Sequence, residues 1–342
     1  MSIPRVENTV GASFTAWPAS RSAIHAAGRI PEKPALGPTL DSMTATLPNS
    51  AGRGSVTAVG FVLLGLLCQE IGASFAVLLF PAAGPLGMVA LRLGFSALLL
   101  MAIARPVLRG YGRADWLTVS GFALTLAAMN ALFYLALARL PLGPAVTIEV
   151  LGPLLLSVII SRRASSWLWA VLAFAGVALL GWGGVEDLDP LGVLFAAGAG
   201  AMWVGYILLS ARTGARFPKL DGLAIAMTLG ALVTLPFGIL NADVALVEPR
   251  ILLLGAAVAV LSSAIPYGLE LFALRRLPAS AFSILMSLAP ALAAIVGAIV
   301  LHQELTLVGW VAIGLVVLAS AGAVRSASAH PRPVAGLSEP LA

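Results

Sequence analysis

Ten apolar segments follow one another between about residue 58 and residue 325, and short polar loops separate them. Several of these loops contain a proline, which lacks an N–H group and is tolerated where a helix ends. A helix needs about 20 largely apolar residues to cross the hydrocarbon core of a bilayer. The pattern therefore predicts an all-α membrane protein with ten transmembrane helices, at residues 58–80, 84–104, 116–137, 144–161, 167–185, 191–211, 222–240, 251–274, 279–301 and 307–325.

The composition supports a lipid environment. Apolar residues make up 60% of the 342-residue chain and charged residues only 10%, whereas soluble domains carry about 25% charged residues. The polar segments at both ends, residues 1–56 and 326–342, contain no apolar run of spanning length, and we expect them to be disordered cytoplasmic tails. The length of the first tail leaves open whether translation begins at Met1 or at Met43.

The loop charges predict the orientation of the chain. Cytoplasmic loops of membrane proteins are enriched in Lys and Arg. With both termini inside, the inner loops and flanks hold twelve basic residues and the outer loops hold two, Arg139 and Arg250. This asymmetry predicts an N-in, C-in protein of the bacterial inner membrane. It also explains the net charge of +5 without a nucleic-acid partner.

The two halves of the chain resemble each other. Arg139-Leu140-Pro141 recurs 137 residues later as Arg276-Leu277-Pro278, and the same offset aligns Pro153 with Pro290. Because each half contains five helices, the second half must be inverted in the membrane. We therefore predict two five-helix repeats, at residues 57–185 and 191–325. In transporters built from inverted repeats, the substrate site lies at the repeat interface near the bilayer midplane.

Four charged residues lie inside the predicted helices. A charge at the centre of a membrane helix costs about 2.5–3.5 kcal/mol on insertion scales, so each one needs a reason. Asn130 and Tyr267 are neutral polar companions within the same apolar segments. The candidate site residues for substrate binding or proton coupling are thus Glu70, Arg92, Asn130, Glu149, Tyr267 and Glu270.

Each of these residues has a functional and a structural interpretation. Glu149 and Glu270 are predicted to bind a proton or a substrate ammonium group, or to make hydrogen bonds between helices as neutral acids. Arg92 either faces a substrate carboxylate or forms a structural pair with Glu70 or a helix end. Asn130 suits contact with a substrate or with a neighbouring helix equally well.

The sequence also excludes several classes of protein. It contains no phosphate-binding loop ending in Gly-Lys-Ser/Thr, so we expect no ATP-driven transport by this chain. Its one cysteine, Cys68, and its three dispersed histidines predict neither a disulfide nor a metal site. We expect no enzymatic activity and no cofactor.

A family resemblance covers residues 58–325. The chain resembles the EamA-type family of the drug/metabolite transporter superfamily, and within it the bacterial threonine/homoserine exporter group. The resemblance is carried by Gly72-Ala73-Ser74, Ala90-Leu91-Arg92-Leu93, residues 129–135, Leu140-Pro141-Leu142-Gly143, Glu149 with Gly152-Pro153-Leu154, Ser161-Arg162-Arg163, residues 261–270, Leu285-Met286-Ser287 and residues 289–294.

This resemblance implies two EamA repeats around a central substrate cavity, and export driven by the proton gradient. It also implies that Arg92, Asn130, Glu149, Tyr267 and Glu270 surround that cavity. The expected cargo is a small neutral amino acid such as threonine or homoserine. The alternative cargo is another metabolite or drug, such as a nucleoside, a dipeptide or an amphipathic compound. The oligomeric state is open between a monomer and a homodimer.

Overall fold

The computed structural model describes residues 50–161, 164–184, 188–242, 248–266, 269, 273, 277 and 279–328. All regular structure within these ranges is helical. The helices are α1 Ser50–Ala104, α2 Arg113–Leu137, α3 Leu142–Glu149, α4 Leu151–Ser161, α5 Ala164–Leu179, α6 Pro190–Gly214, α7 Asp221–Ala242, α8 Pro249–Ala259, α9 Ala279–Met286, α10 Ala289–Val300 and α11 Leu307–Ser328.

Several of these helices, alone or as two consecutive helices, have the length and composition of membrane spans. Within the described ranges, seven helical segments are long and apolar enough to cross a bilayer, and two further apolar helices, Trp167–Trp182 and Pro249–Ala264, are shorter. The segment counted as Thr57–Ala104 contains 48 residues, which is about twice the length that one span requires. The all-helical fold predicted from the sequence is therefore confirmed for the described residues, and the apolar segments have the character of membrane helices.

Helix α1 contains the first two predicted spans, joined by a sharp break. The break lies at Gly84, whose φ of 66° and ψ of 161° are non-helical, between Pro81 and Pro85. A positive φ of this kind is readily adopted only by glycine. The chain therefore passes from the first span to the second without a loop.

Two other helices are broken at equivalent places in the two halves. The helix predicted at 144–161 divides into α3 and α4 at Val150, and the one predicted at 279–301 divides into α9 and α10 at Ser287 and Leu288. The 137-residue offset aligns Val150 with Ser287. Pro153 lies three residues after Val150 and Pro290 three residues after Ser287, and the missing N–H group of each proline interrupts the helical hydrogen bonding.

Two short π-helical turns follow other helices, Leu180–Gly184 after α5 and Val260–Ala264 after α8. Such turns are rare and often occur at functional sites, because they displace backbone groups from the regular hydrogen-bonding pattern. The second turn packs against α1 and contributes to the site described below.

The helices pack mainly in pairs drawn from the two halves. Helix α1 packs on α7 and α8, α2 on α6, α3 on α10, and α5 on α11. The largest buried cluster includes Leu66, Met88, Leu126, Tyr134 and Ile148, and it extends across both halves of the chain. Smaller clusters lie along α4, α5 and α11.

Ion pairs join α2 and α6 at both ends. Near the end of α2, Arg139 Nη1 lies 2.7 Å from Asp189 Oδ2, just before α6 begins, and near its start Asp115 Oδ1 lies 2.8 Å from Arg216 Nη1, just after α6 ends. Asp189 also caps α6, because its Oδ1 accepts a hydrogen bond of 2.8 Å from the Leu191 N–H. The hydrogen bond from Arg139, followed by that from Leu191, holds the pKa of Asp189 below its ordinary value.

Candidate functional site

A cavity of about 180 Å³ lies among α1, α2, α3, α6, α9 and the start of α10. The main-chain breaks after α3 and α9 lie at its edge, because Glu149 and Met286, the last residues of those helices, both line it. The cavity is lined by Leu66, Gln69, Glu70, Ala73, Arg92, Met129, Asn130, Phe133, Val146, Glu149, Trp203, Tyr206, Met286 and Ala289.

Four of the six predicted site residues line this one cavity: Glu70, Arg92, Asn130 and Glu149. Glu70 is only 2% exposed and Glu149 only 8%. The other two, Tyr267 and Glu270, lie outside the described residues. The residues brought together come from three successive helices, α1, α2 and α3.

The charged groups of the cavity are near enough to influence one another. Glu70 lies within electrostatic reach of Arg92, and Glu149 lies within reach of both Arg92 and Glu70. One guanidinium and two buried carboxyl groups therefore line the same small cavity. Such groups interact more strongly there than at a hydrated surface.

Arg92 also connects the two halves of the chain. Its Nη1 donates to the hydroxyl of buried Tyr134 and its Nη2 to the main-chain carbonyl of Ser262, both at 3.3 Å. The guanidinium carbon lies 5.6 Å from the centre of the Tyr134 ring. Since Ser262 belongs to the π-helical turn after α8, Arg92 links the polar side of the cavity to this irregular segment of the second half.

Glu149 is positioned by the break after α3 and by α6. Pro153 cannot donate to the Glu149 carbonyl, which would be its partner four residues earlier in a regular helix. Gly200 of α6 lies directly against this carbonyl, since a β-carbon built on Gly200 would be 2.5 Å from the oxygen. This carbonyl is thus covered by α6, while the Glu149 side chain lines the cavity.

Asn130 is fixed to its own helix. Its Nδ2 donates to the carbonyl of Leu126 at 2.8 Å, and the residue is 6% exposed. This bond holds the side chain at the α2 side of the cavity.

Sequence reasoning missed the wall that the second half contributes. Trp203 and Tyr206 lie three residues apart on α6, and Met286 and Ala289 follow one another across the break before α10. Aromatic residues and methionine in an apolar helix are indistinguishable by pattern from ordinary packing residues. One signal was available: the 137-residue offset aligns Met286 with Glu149.

The described residues contain no group of three or more His, Cys, Asp or Glu side chains that could hold a metal ion. The arrangement instead offers one fixed cation, two carboxyl groups and an aromatic wall. These groups suit a small molecule that carries both an ammonium and a carboxylate group.

Comparison with known proteins gives matches over most of the chain. Residues 190–325 match the EamA-like transporter family. The threonine/homoserine exporter RhtA of Escherichia coli (strain K12) is 41% identical over 263 residues, which cover 76% of this chain and 89% of that protein. RhtA of Salmonella typhimurium (strain LT2) is 39% identical over 273 residues, covering 79% of this chain and 92% of that protein.

Two more distant matches agree with these. The transporter YwfM of Bacillus subtilis (strain 168) is 29% identical over 273 residues, covering 75% of this chain and 90% of that protein. A solved crystal structure that is 21% identical superposes with a TM-score of 0.53 and covers 79% of this chain and 98% of its own. This last likeness concerns the fold alone.

Proposed function

Since this chain belongs to the EamA-like transporter family and is a multi-pass membrane protein, we propose that it exports small neutral amino acids, such as threonine and homoserine. The relatives named as threonine/homoserine exporters are 39–41% identical to it over most of their length. The observation that carries the proposal is the shared cavity of Glu70, Arg92, Asn130 and Glu149. Charged groups in a membrane interior are costly and need a functional or structural reason.

A zwitterionic amino acid matches the charges of this cavity. Its carboxylate would pair with Arg92, which keeps its charge at any accessible pH. Its ammonium group would pair with Glu149 or Glu70, and Glu270 is a third candidate from the sequence. The hydroxyl of threonine or homoserine would find a hydrogen-bond partner in Asn130, which lines the same cavity.

We further propose that export is coupled to proton entry. A carboxyl group in a small membrane cavity can bind a proton when the substrate is absent and release it when an ammonium group arrives. If the cavity opens alternately to each side of the membrane, Glu70 and Glu149 would carry protons inward and amino acid outward. The cycle would rock two five-helix repeats, 57–185 and 191–325, around the cavity.

The proposed topology has ten membrane spans with both termini in the cytoplasm, and the proposed location is the bacterial inner membrane. In this orientation Arg139 and Asp189 lie at the outer surface, and Asp115 and Arg216 at the inner surface. The breaks after α3 and α9 would then lie between the two surfaces, as expected of discontinuous helices at a transport site.

Transport into inside-out vesicles tests the proposal. Vesicles containing the protein should accumulate labelled threonine or homoserine above empty vesicles, and collapse of the proton gradient should abolish the accumulation. A flux that does not respond to the gradient would contradict proton coupling. Absence of amino-acid flux, with accumulation of a nucleoside, a dipeptide or an amphipathic drug, would contradict the proposed cargo.

A further inference from the structure

The two halves of the chain contribute different chemistry to the cavity. The charged and amide side chains that line it come from residues 69–149 of the first half. Among the residues that the structure describes, the second half contributes uncharged ones: Trp203, Tyr206, Met286 and Ala289. The cavity therefore has a polar wall, defined by Gln69, Glu70, Arg92, Asn130 and Glu149, and an aromatic wall, defined by Trp203, Tyr206 and Met286.

We propose that the aromatic wall, and Trp203 above all, limits the length of the substrate side chain and so restricts the cargo to amino acids with short side chains. This inference rests on the proposed function, because it assumes that an amino acid occupies the cavity. If the ammonium and carboxylate groups bind the charged residues and the side-chain hydroxyl binds Asn130, the rest of a longer substrate side chain is left to the uncharged lining that includes Trp203, Tyr206 and Met286. A longer side chain would then meet the indole ring of Trp203 or the thioether of Met286.

The position of Trp203 is fixed by the packing of α6. One turn before it, Gly200 lies against the carbonyl of Glu149, so α6 cannot move closer to the break after α3. Trp203 itself packs against the cluster that contains Val150, Leu151 and Leu154. The indole is therefore held between the cavity and a packed core, and it cannot turn away to admit a larger ligand without disturbing that core.

The rest of the aromatic wall is held in a similar way. The Tyr206 ring lies 5.2 Å from that of Phe122 on α2, in a tilted arrangement. Ion pairs join α2 and α6 at both ends, Asp115 with Arg216 and Arg139 with Asp189. Helix α2 also supplies Asn130 to the polar wall. The distance from Asn130 to Trp203 and Tyr206 is therefore set by two helices that are joined at both ends by ion pairs and between them by the Phe122–Tyr206 contact.

Selectivity measured in inside-out vesicles tests this inference. The variants are Trp203→Ala, Trp203→Phe and Met286→Ala, with Trp182→Ala as matched control because Trp182 is 88% exposed and lies away from the cavity. The measured quantity is the kcat/KM for leucine transport divided by the kcat/KM for threonine transport. A pocket discriminates by about 10- to 200-fold for a methylene group. We therefore expect Trp203→Ala to raise the ratio by about tenfold or more, Trp203→Phe and Met286→Ala to raise it less, and Trp182→Ala to leave it unchanged.

The ratio does not depend on how much protein reaches the membrane, and transport of a new, larger substrate cannot result from misfolding. If Trp203→Ala is inactive, the ratios of Trp203→Phe and Met286→Ala decide the question. Unchanged ratios in active variants, with wild-type threonine transport intact, would overturn the inference and leave the proposed function standing. Failure of the wild type to transport either amino acid would refute the proposed function, and with it this inference.

Discussion

The guanidinium of Arg92 donates a hydrogen bond of 3.3 Å to the main-chain carbonyl of Ser262. The two residues belong to different halves of the chain, and Ser262 lies in the π-helical turn that follows α8. One side chain therefore lines the cavity and also joins the two halves of the chain. Both sequence interpretations of Arg92, as counter-ion and as structural residue, are compatible with this position.

Replacement of Arg92 by lysine should reduce threonine transport at least about tenfold. Lysine keeps the charge but cannot donate to Tyr134 and Ser262 from a planar fork as arginine does. A hydrogen bond from a charged group contributes about 1.5–3 kcal/mol, and about 1.4 kcal/mol corresponds to a factor of ten. Tyr134→Phe removes one acceptor only and should have a smaller effect. Initial rates in inside-out vesicles measure both, and a lysine variant with wild-type rates would refute a role for the guanidinium geometry.

Replacement of Gly200 by alanine should destabilise the protein. The new β-carbon would lie 2.5 Å from the carbonyl oxygen of Glu149, which forces α6 away from the break after α3. Overpacking of this kind costs about 1–3 kcal/mol. Gly314→Ala on α11 is the matched control, because a β-carbon there meets nothing within 4 Å. Thermal unfolding in detergent should show a lower midpoint for Gly200→Ala only, and equal midpoints for the two variants would be inconsistent with the close approach.

The ion pair of Asp189 with Arg139 should give the protein a pH-dependent increment of stability. Because the pKa of Asp189 is lowered in the folded state by Arg139 and by the Leu191 N–H, the increment is present above the unfolded-state pKa of about 3.9. It is lost as the pH falls through the lower folded-state value. Asp189→Asn keeps an oxygen to cap α6 but removes the charge.

Unfolding midpoints of the wild type and Asp189→Asn, measured in detergent between pH 7 and pH 3, test this prediction. The wild type should be the more stable above about pH 5, and the difference should shrink below about pH 4, where an aspartate of ordinary pKa becomes protonated. A difference that stays constant down to pH 3 would argue against the ion pair as its cause. Glu248→Gln, in an exposed position before α8, controls for general effects of charge removal.

Neutralisation of the cavity carboxyl groups should uncouple amino-acid transport from the proton gradient. Glu149→Gln and Glu70→Gln keep the side-chain size but remove the titratable proton, so accumulation against a concentration gradient should be lost. Exchange of labelled for unlabelled threonine needs no net proton movement and should decline less. Glu304→Gln, in an exposed loop position, should behave as the wild type. Full gradient-driven accumulation by both cavity variants would exclude these carboxyls as the proton carriers.

The sequence predicted a helical membrane fold because the hydropathy pattern shows which segments are apolar enough to lie in lipid rather than in water. It also identified Glu70, Arg92, Asn130 and Glu149, which are unusual in apolar segments for the same reason. Four residues selected for their polarity, three of which the family resemblance also indicated, line one cavity. The helices predicted as continuous at 144–161 and 279–301 are instead divided near Pro153 and Pro290, whose missing N–H groups interrupt helical hydrogen bonding.

Other features depended on tertiary packing and could not be predicted. Trp203 and Met286 look like any other apolar residues until their helices are placed beside the cavity. The direct joining of the first two spans at Gly84 depends on one positive φ angle, and a hydropathy pattern does not reveal backbone angles. The contact of Gly200 with the Glu149 carbonyl requires the crossing position of α6. The sequence indicated only that residues 196–200 are small.

Protection of an introduced cysteine by substrate tests most directly whether the amino acid occupies this cavity. The natural chain has one cysteine, Cys68, so a Cys68→Ser background gives a protein without reactive thiols. Cysteine would be placed at Ala289, which lines the cavity, and in a control at exposed Ala215, in the turn after α6. Labelling by a small water-soluble thiosulfonate would be followed with and without threonine.

We predict that threonine slows labelling at position 289 and leaves labelling at position 215 unchanged. Equal labelling rates at position 289 with and without threonine, in a protein that still transports threonine, would contradict the assignment of this cavity as the substrate site.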